Sequence, residues 1–242
     1  MLKTHNTFKA LALGLVVTAG IGAAAPPIAQ GGNASHAQQR LAAKVAVDSK
    51  FDRSTLSIFY AGPVVKGMAA ILSETFNRYG GVSHRVRLFL ASPGGLVREG
   101  EQVIDVLRRI RQTHRLETVV LHGDTCASMC VPIFLQGQTR FAARSSLWLF
   151  HEAAKSLNAT GSRVRVDAME TRRLIRRYFT PAGVSAAWLK QMLRQIDRGN
   201  NYWQTGQELI GAGSGIVTDA LDNTTARPEA QPVPRAKSRT CC

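Results

Sequence analysis

Acidic residues are scarce in this chain of 242 residues, where 16 Asp and Glu face 31 Lys and Arg and leave a formal net charge of +15. An excess of this size favours contact with anionic surfaces. The basic residues are spread along the whole chain, however, and they are not interleaved with aromatic residues, which make up only 7% of the sequence. A distribution of this kind predicts no specific nucleic-acid partner.

Long apolar runs are equally scarce, and the one that stands out lies at the N-terminus. Lys3, His5 and Lys9 precede an apolar stretch at 10–25 that ends in small residues. A basic head, a short hydrophobic segment and a small-residue end predict a secretory signal peptide over residues 1–25. An uncleaved anchor is the alternative, although the run is slightly short of the roughly 20 residues that span a bilayer. We therefore expect export to a bacterial periplasm, with the protein either free or anchored in the inner membrane.

Cysteine is rare as well. Cys241 and Cys242 end the chain, and Cys126 and Cys130 would lie one turn apart on a helix. On one helix the Cα spacing permits a disulfide, but the Cβ directions usually do not. We therefore predict that Cys126 and Cys130 are buried thiols. His122 continues the same four-residue spacing, but it precedes a glycine turn and would not share the helix face, so the sequence predicts neither a metal site nor a cofactor.

Apolar runs with strand character alternate with segments of helical spacing between residues 54 and 222. The predicted strands are Thr55–Tyr60, Val86–Leu90, Thr118–His122 and Leu147–Phe150. The predicted helices are Lys66–Arg78, Glu99–His114, Ser128–Leu135, 164–179 and 185–197. Alternation of this kind implies a single α/β domain over residues 54–222, with a parallel sheet and helices on its faces.

The segments that flank this domain have a different composition. Residues 26–53 are small and polar, and they predict a linker that contains a short helix at 37–47. Residues 223–242 combine prolines with scattered Lys and Arg. This composition predicts a disordered basic tail.

Two short motifs and one histidine follow predicted strands. Ser92-Pro93-Gly94-Gly95 follows the second strand, Ser128 lies between the two cysteines after the third, and His151 ends the fourth. A serine hydroxyl is a poor nucleophile unless a base takes its proton, and a neutral histidine is a suitable base. A helix that begins at Ser128 would offer free backbone N–H groups to an oxyanion. Glycine at 94 and 95 would let a substrate backbone approach closely. The constellation predicts an acyl-transfer site.

The order and approximate spacing of these motifs resemble those of a known family. Ile58–Val64, Ser92–Gly95, Ala127–Met129 and His151 follow one another as in the proteolytic subunit of Clp protease, a member of the ClpP/crotonase superfamily. The resemblance extends over about residues 54–222. It implies an α/β domain built as a spiral of ββα units.

The resemblance also implies a function and a set of roles. It implies a serine peptidase with Ser128 as the nucleophile and His151 as the base. The N–H groups of Gly95 and Met129 would form the oxyanion hole, and Gly94 would contact the substrate. The substrate would be a peptide or an unfolded protein, and the protein would be a homo-oligomer. The sequence contains no ATP-binding loop, and we expect the protein to be exported. We therefore expect ATP-independent hydrolysis without an ATPase partner.

The third member of the site departs from the family pattern. The family usually carries Asp where this chain has Asn201, and Asp197 is the nearest acidic alternative. An orienting residue must accept a hydrogen bond from Nδ1–H of the histidine. The carbonyl of Asn can accept it, but it stabilises an imidazolium less well than a carboxylate does.

Two other functions stay open at the level of the sequence. The missing acid leaves room for a weakly active or inactive scaffold that retains the fold and binds a partner. A crotonase-type acyl-CoA enzyme is the other alternative, because it would use the same oxyanion geometry without a Ser–His pair.

Overall fold

The computed structural model describes residues 44–48, 54–157, 163–221 and 231–232. The predicted signal segment, most of the predicted linker and most of the predicted tail lie outside these ranges. Within the described ranges, none of the helices has the length and apolar character needed to cross a bilayer.

Strands and helices alternate through most of the described chain. The strands are β1 (Lys44–Asp48), β2 (Thr55–Ala61), β3 (Arg85–Ala91), β4 (Arg115–Val120), β5 (Thr125–Ala127), β6 (Thr139–Ala143), β7 (Leu147–Phe150), β8 (Ala153–Leu157), β9 (Arg163–Asp167), β10 (Tyr202–Thr205), β11 (Asp219–Leu221) and β12 (Gln231–Pro232). The helices are α1 (Met68–Tyr79), α2 (Val97–Thr113), α3 (Cys130–Phe134), α4 (Ala168–Leu174), α5 (Ala186–Ile196) and α6 (Gly206–Gly211). A π-helix at Ile175–Phe179 continues α4, and short 3₁₀ turns occupy Gly80–Val82 and Asp197–Gly199.

The larger sheet has seven strands in the order β11-β6-β4-β3-β2-β1-β12. Its five strands from β11 to β2 run parallel, and β1 pairs antiparallel with β2. Helices α1 and α2 make the crossovers that parallel neighbours require. This arrangement confirms the predicted α/β class with a parallel sheet.

Both faces of the larger sheet carry an apolar cluster. Ile58 and Leu88 lie in the core under the helices, whereas Phe59 stacks on Phe89 on the opposite face with ring centroids 4.4 Å apart. Helix α2 is amphipathic and buries one stripe, which consists of Val103, Ile104, Leu107 and Ile110. Burial of a side chain of this size contributes about 1.5–3 kcal/mol relative to its exposure.

A smaller sheet of three strands has the order β10-β7-β5. Strand β7 runs parallel to β5 and antiparallel to β10. The central residue Trp148 is fully buried, and its indole N–H donates to Ser146 Oγ at 2.9 Å. An isolated bridge between Ser92 and Cys126 connects the smaller sheet to the end of β3.

Three sequence-based predictions differ from the structure in this part of the fold. Residues 44–48 form strand β1 where a helix over 37–47 is predicted, because this segment finds a partner in β2. The predicted helix at 164–179 begins only at Ala168, since residues 163–167 pair with β8 as a hairpin. Asp167 then ends that strand and caps α4, with its carboxylate accepting from the N–H groups of Met169 and Glu170. In the predicted tail, Gln231 and Pro232 pair with β1.

Candidate active site

One cleft of about 1210 Å³ collects the residues that the sequence singles out. Its lining includes Ser128, His151, Asn201, Gly94, Gly95 and Met129. Asp197, the acidic alternative to Asn201, is not part of the lining. Its side chain is 68% exposed, and its Oδ2 lies 3.6 Å from Nε of Arg198. Asn201 therefore shares the cleft with the serine and the histidine, whereas Asp197 does not line it.

The smaller sheet explains why Ser128, His151 and Asn201 meet. In the β5–β7 pair Ala127 lies opposite Leu149, and the N–H of Ser128 donates to the carbonyl of Leu149 at 2.9 Å. In the β7–β10 pair Tyr202 lies opposite Phe150. One residue beyond these pairs, Ser128 flanks the end of β7 on the β5 side, and Asn201 flanks it on the β10 side. His151 is the residue that follows this end.

Ser128 has a backbone conformation that is unusual for a residue with a side chain. Its φ is 53°, in the left-handed region, and it sits on the turn between β5 and α3. Such a conformation costs about 1–3 kcal/mol and persists only where the surroundings determine it. The predicted helix Ser128–Leu135 is therefore shorter in the structure, because a right-handed helix cannot include this residue. The turn makes Ser128 the residue that projects into the cleft.

Gly94 and Gly95 fit this site because neither has a side chain. A Cβ built on Gly94 would lie 2.6 Å from Cβ of Ser128, and a Cβ built on Gly95 would lie 2.3 Å from the carbonyl oxygen of Val64. Both residues also have φ values, 85° and 151°, that favour glycine. The loop at Gly94 and Gly95 is thus packed directly against the Ser128 turn on one side and against Val64 on the other.

Two backbone N–H groups in the cleft have no acceptor among the described residues. Val64 pairs with the glycine loop through two hydrogen bonds. Its N–H donates to the carbonyl of Gly94 at 2.8 Å, and its carbonyl accepts from the N–H of Leu96 at 2.9 Å. In such a parallel bridge, the N–H of the intervening Gly95 points away from Val64. In the part of the chain that the structure describes, neither this N–H nor that of Met129 donates to a protein group. Both residues line the cleft.

The contact of His151 with the backbone of Glu152 indicates which ring nitrogen of His151 carries the proton. Nδ1 of His151 lies 2.6 Å from the backbone carbonyl of Glu152. A carbonyl can only accept, so Nδ1 carries the proton and Nε2 of the neutral ring is left with its lone pair. This is the tautomer that a general base needs. Main-chain carbonyls carry no sequence signal, so sequence analysis could not identify this contact.

The side chain of Glu152 has a separate structural role. Glu152 is 7% exposed, and its Oε2 accepts a hydrogen bond from the N–H of Gly199 at 2.9 Å. The carboxylate thereby ties the residue after His151 to the turn at Asp197–Gly199, which precedes Asn201. The adjacent Arg198 has a left-handed φ of 60°. The sequence analysis did not single out Glu152.

Part of the lining of the cleft is an apolar wall. It is built mainly from the π-helix and α5 by Leu174, Ile175, Phe179, Met192 and Ile196. π-Helical segments are rare and often occur at functional sites. The wall offers a surface for an apolar side chain of a ligand.

Polar contacts behind the π-helix fix this wall. Tyr178 donates to Oε1 of Glu101 at 2.9 Å, and Nη1 of Arg173 lies 2.8 Å from the same oxygen. Burial, together with the hydrogen bond to Glu101, raises the pKa of Tyr178 to about 12. Burial opposes ionisation of Glu101, but the hydrogen bonds from Arg173 and Tyr178 outweigh it and lower the pKa of this carboxyl. Glu101 therefore stays charged and holds both partners near neutral pH.

Cys126 and Cys130 form a disulfide with a Cα–Cα distance of 5.3 Å, so the prediction of free thiols is wrong. The prediction assumed that both residues lie on one helix. Cys126 instead belongs to β5 and Cys130 begins α3, so the turn between them directs the two sulfurs together. Nδ1 of His122 contacts the Ser145 hydroxyl. The described residues contain no cluster of His, Cys, Asp and Glu suited to a metal ion.

Comparisons with known proteins agree with this fold. The sequence model of the Clp protease family matches residues 48–213. Among solved structures, a mutant of ClpP1 from Listeria monocytogenes matches with a TM-score of 0.53 and 22% sequence identity. The match covers 69% of this chain and 92% of that chain. At this level of identity it shows a shared fold, and it confirms the ClpP-like architecture that the sequence motifs imply.

Removal of the Glu152 carboxylate should weaken the fold around the cleft. Glu152→Ala should lower the free energy of unfolding by about 1–3 kcal/mol, because the Gly199 N–H loses a charged acceptor in a buried setting. Glu152→Gln keeps an oxygen in the same place and should lose less than about 1.5 kcal/mol. Urea unfolding followed by circular dichroism measures both values. Equal losses in the two variants would contradict this role for the hydrogen bond.

Proposed function

Because the chain belongs to the Clp protease family, we propose that it is an exported serine peptidase with Ser128 as nucleophile and His151 as general base. The observation that carries the proposal is the convergence of the two side chains. The turn at Ser128 and the end of β7 at His151 line one cleft, and the hydrogen bond to Glu152 O gives His151 the tautomer of a base. Family membership supports a peptidase at the level of the family, and the cleft supports these residues for the roles.

The proposed reaction follows the usual two steps of acyl transfer. Nε2 of His151 takes the proton of the Ser128 hydroxyl while Oγ attacks the peptide carbonyl. The resulting oxyanion accepts hydrogen bonds from the N–H groups of Gly95 and Met129, and the imidazolium gives its proton to the departing amine. A water molecule, deprotonated by His151, then hydrolyses the acyl-enzyme and restores the serine.

The chemistry of the cleft suggests the substrate class. Backbone groups of the glycine loop suit an extended peptide, which pairs through its own main chain. The apolar wall on the π-helix suits an apolar side chain beside the scissile bond. We propose peptides or unfolded segments as substrates, hydrolysed without ATP and without an ATPase partner. Membership of the family also supports a homo-oligomeric assembly.

Asn201 supports a second candidate function. A neutral amide lends no negative charge to an imidazolium, so a protein with this residue can be slow or can serve as a binding scaffold. The hydrogen bond from His151 to Glu152 O argues for activity, because it helps to orient the imidazole alongside the residue at position 201.

The disulfide supports the proposed location. Disulfides form and persist in oxidising compartments such as the bacterial periplasm, and they are rare in the cytosol. The Cys126–Cys130 bond lies in the interior, where both residues are fully buried. This feature is independent of the N-terminal segment and points to the same compartment.

A fluorophosphonate probe should label the purified protein at Ser128, and Ser128→Ala should abolish labelling without a change in the circular dichroism spectrum. Ser145→Ala is the matched control, because Ser145 also contacts a histidine, His122, but does not line the cleft. This control should label normally. Mass spectrometry of the tryptic peptides locates the adduct. Undiminished labelling of Ser128→Ala would refute the assignment.

Asn201→Asp should raise kcat for peptide hydrolysis by at least about tenfold, because a carboxylate stabilises the imidazolium that forms in the transition state. Asn201→Ala should lower kcat. Asp197→Asn is the control, and it should leave kcat unchanged because its side chain points to solvent beside Arg198. Initial rates on a fluorogenic peptide compare the variants. A large loss in Asp197→Asn alone would instead identify Asp197 as the partner of His151.

The mature protein should begin between residues 24 and 38 and should be released with the periplasmic fraction. The basic head and short apolar run of the N-terminus are the physical reason. Mass spectrometry of the intact protein from fractionated cells measures this. A start at Met1 in the membrane fraction would support the anchor, and a start at Met1 in the cytoplasm would contradict export.

A further inference from the structure

The Cys126–Cys130 disulfide brackets the proposed nucleophile. It closes a loop of consecutive residues that contains both Ser128 and Met129. Cys126 lies in β5 and Cys130 is the first residue of α3, so the bond joins the last strand before the turn to the first residue after it. Both cysteines are fully buried.

The backbone of this loop needs an external constraint. Ser128 has a left-handed φ of 53°, which costs about 1–3 kcal/mol for a residue that is not glycine. The segment after it is helical, and a right-handed Ser128 would extend α3 toward its N-terminus. In that arrangement the Met129 N–H would be one of the first N–H groups of a longer helix and would take a different direction. The geometry of the cleft therefore depends on what prevents this rearrangement.

Few contacts of the turn hold Ser128 in place besides the disulfide. The Ser128 N–H donates to Leu149 O at 2.9 Å, and the Ser128 carbonyl accepts from Val131 N–H at 3.0 Å. Gly94 packs directly against the turn, where a Cβ would lie 2.6 Å from Cβ of Ser128. These contacts fix Ser128 N and O, whereas the disulfide fixes both ends of the loop and with them the peptide between Ser128 and Met129.

We propose that Cys126 and Cys130 are positioning residues whose disulfide holds the Ser128 hydroxyl and the Met129 N–H in the geometry for catalysis. The inference rests on the proposed function. It adds that the oxidised protein is the competent form, and that this turn cannot be assembled equally well in a reducing compartment. Reduction by a dithiol breaks the S–S bond, forms two thiols at Cys126 and Cys130, and converts the reductant to its own disulfide.

The loss should appear in the chemical step and not in substrate binding. Removal of one oxyanion donor costs about 100–1000-fold in kcat, so a donor that is misdirected for part of the time should cost about 10–100-fold. The residues of the apolar wall lie outside the disulfide loop, so KM should change by less than about twofold. A disulfide with a merely structural role would change the unfolding temperature but would not produce this split between kcat and KM.

The experiment compares oxidised and reduced protein in a background with Cys241→Ser and Cys242→Ser, so that only one disulfide can form. The buried bond is reduced in denaturant, and the protein is refolded with dithiothreitol present. Reduced protein should show the kcat loss and a matching fall in the rate of fluorophosphonate labelling, and reoxidation should restore both. Circular dichroism and thermal unfolding verify that the reduced protein is folded.

A second variant controls for the reductant. Cys126→Ala with Cys130→Ala should show the low kcat and the normal KM at the outset, and dithiothreitol should not change either. Equal kcat in oxidised and reduced protein would overturn the inference and leave the proposed function standing. A rise in KM with unchanged kcat, or failure of both reduced forms to fold, would also overturn it. Absence of labelling in the oxidised protein would overturn the proposed function and this inference together.

Discussion

The cleft depends on the main-chain pairing of strand β7 with both of its neighbours. Strand β7 runs parallel to β5 and antiparallel to β10, so its end lies next to the end of one partner and the beginning of the other. Ser128, which follows the end of β5, and Asn201, which precedes the start of β10, therefore lie on the two sides of His151. The fully buried Trp148 holds the middle of β7 in the core. No side-chain contact between the three residues is needed to bring them together, because the register alone does so.

Close packing at the glycine loop is a second constraint, and it explains why two glycines are adjacent. The space at Gly94 is filled by the Ser128 turn, and the space at Gly95 is filled by the backbone of Val64. Through these contacts the glycine loop fixes the turn that bears the proposed nucleophile relative to β2 and β3. The Cys126–Cys130 disulfide closes the same turn. The site is held by backbone contacts and one covalent bond, with few side chains involved.

Much of this fold could be predicted from the sequence, because short apolar runs that alternate with amphipathic helices are typical of a parallel α/β sheet. Strands β2, β3, β4 and β7 and helices α1, α2 and α3 appear close to their predicted places, whereas the short strands β5 and β6 were not predicted. The motifs around Ser128 and His151 lie in one cleft. Strand β1 and the β8–β9 hairpin escaped prediction, since their segments are short and mix apolar with charged residues. The contact of His151 with Glu152 O involves a main-chain atom and has no signature. The disulfide was missed for a related reason, because a left-handed serine between two cysteines cannot be recognised from spacing.

The two backbone donors in the cleft belong to different sheets. The Gly95 N–H is carried by the loop after β3, and the Met129 N–H by the turn after β5. The sheets are joined there by the pairing of Ser92 with Cys126, in which Ser92 N–H donates to Thr125 O at 2.7 Å and Ala127 N–H donates to Ser92 O at 3.0 Å. A small shift of one sheet relative to the other would therefore alter the gap between the two donors. The gap between the two donors thus depends on the alignment of the two sheets.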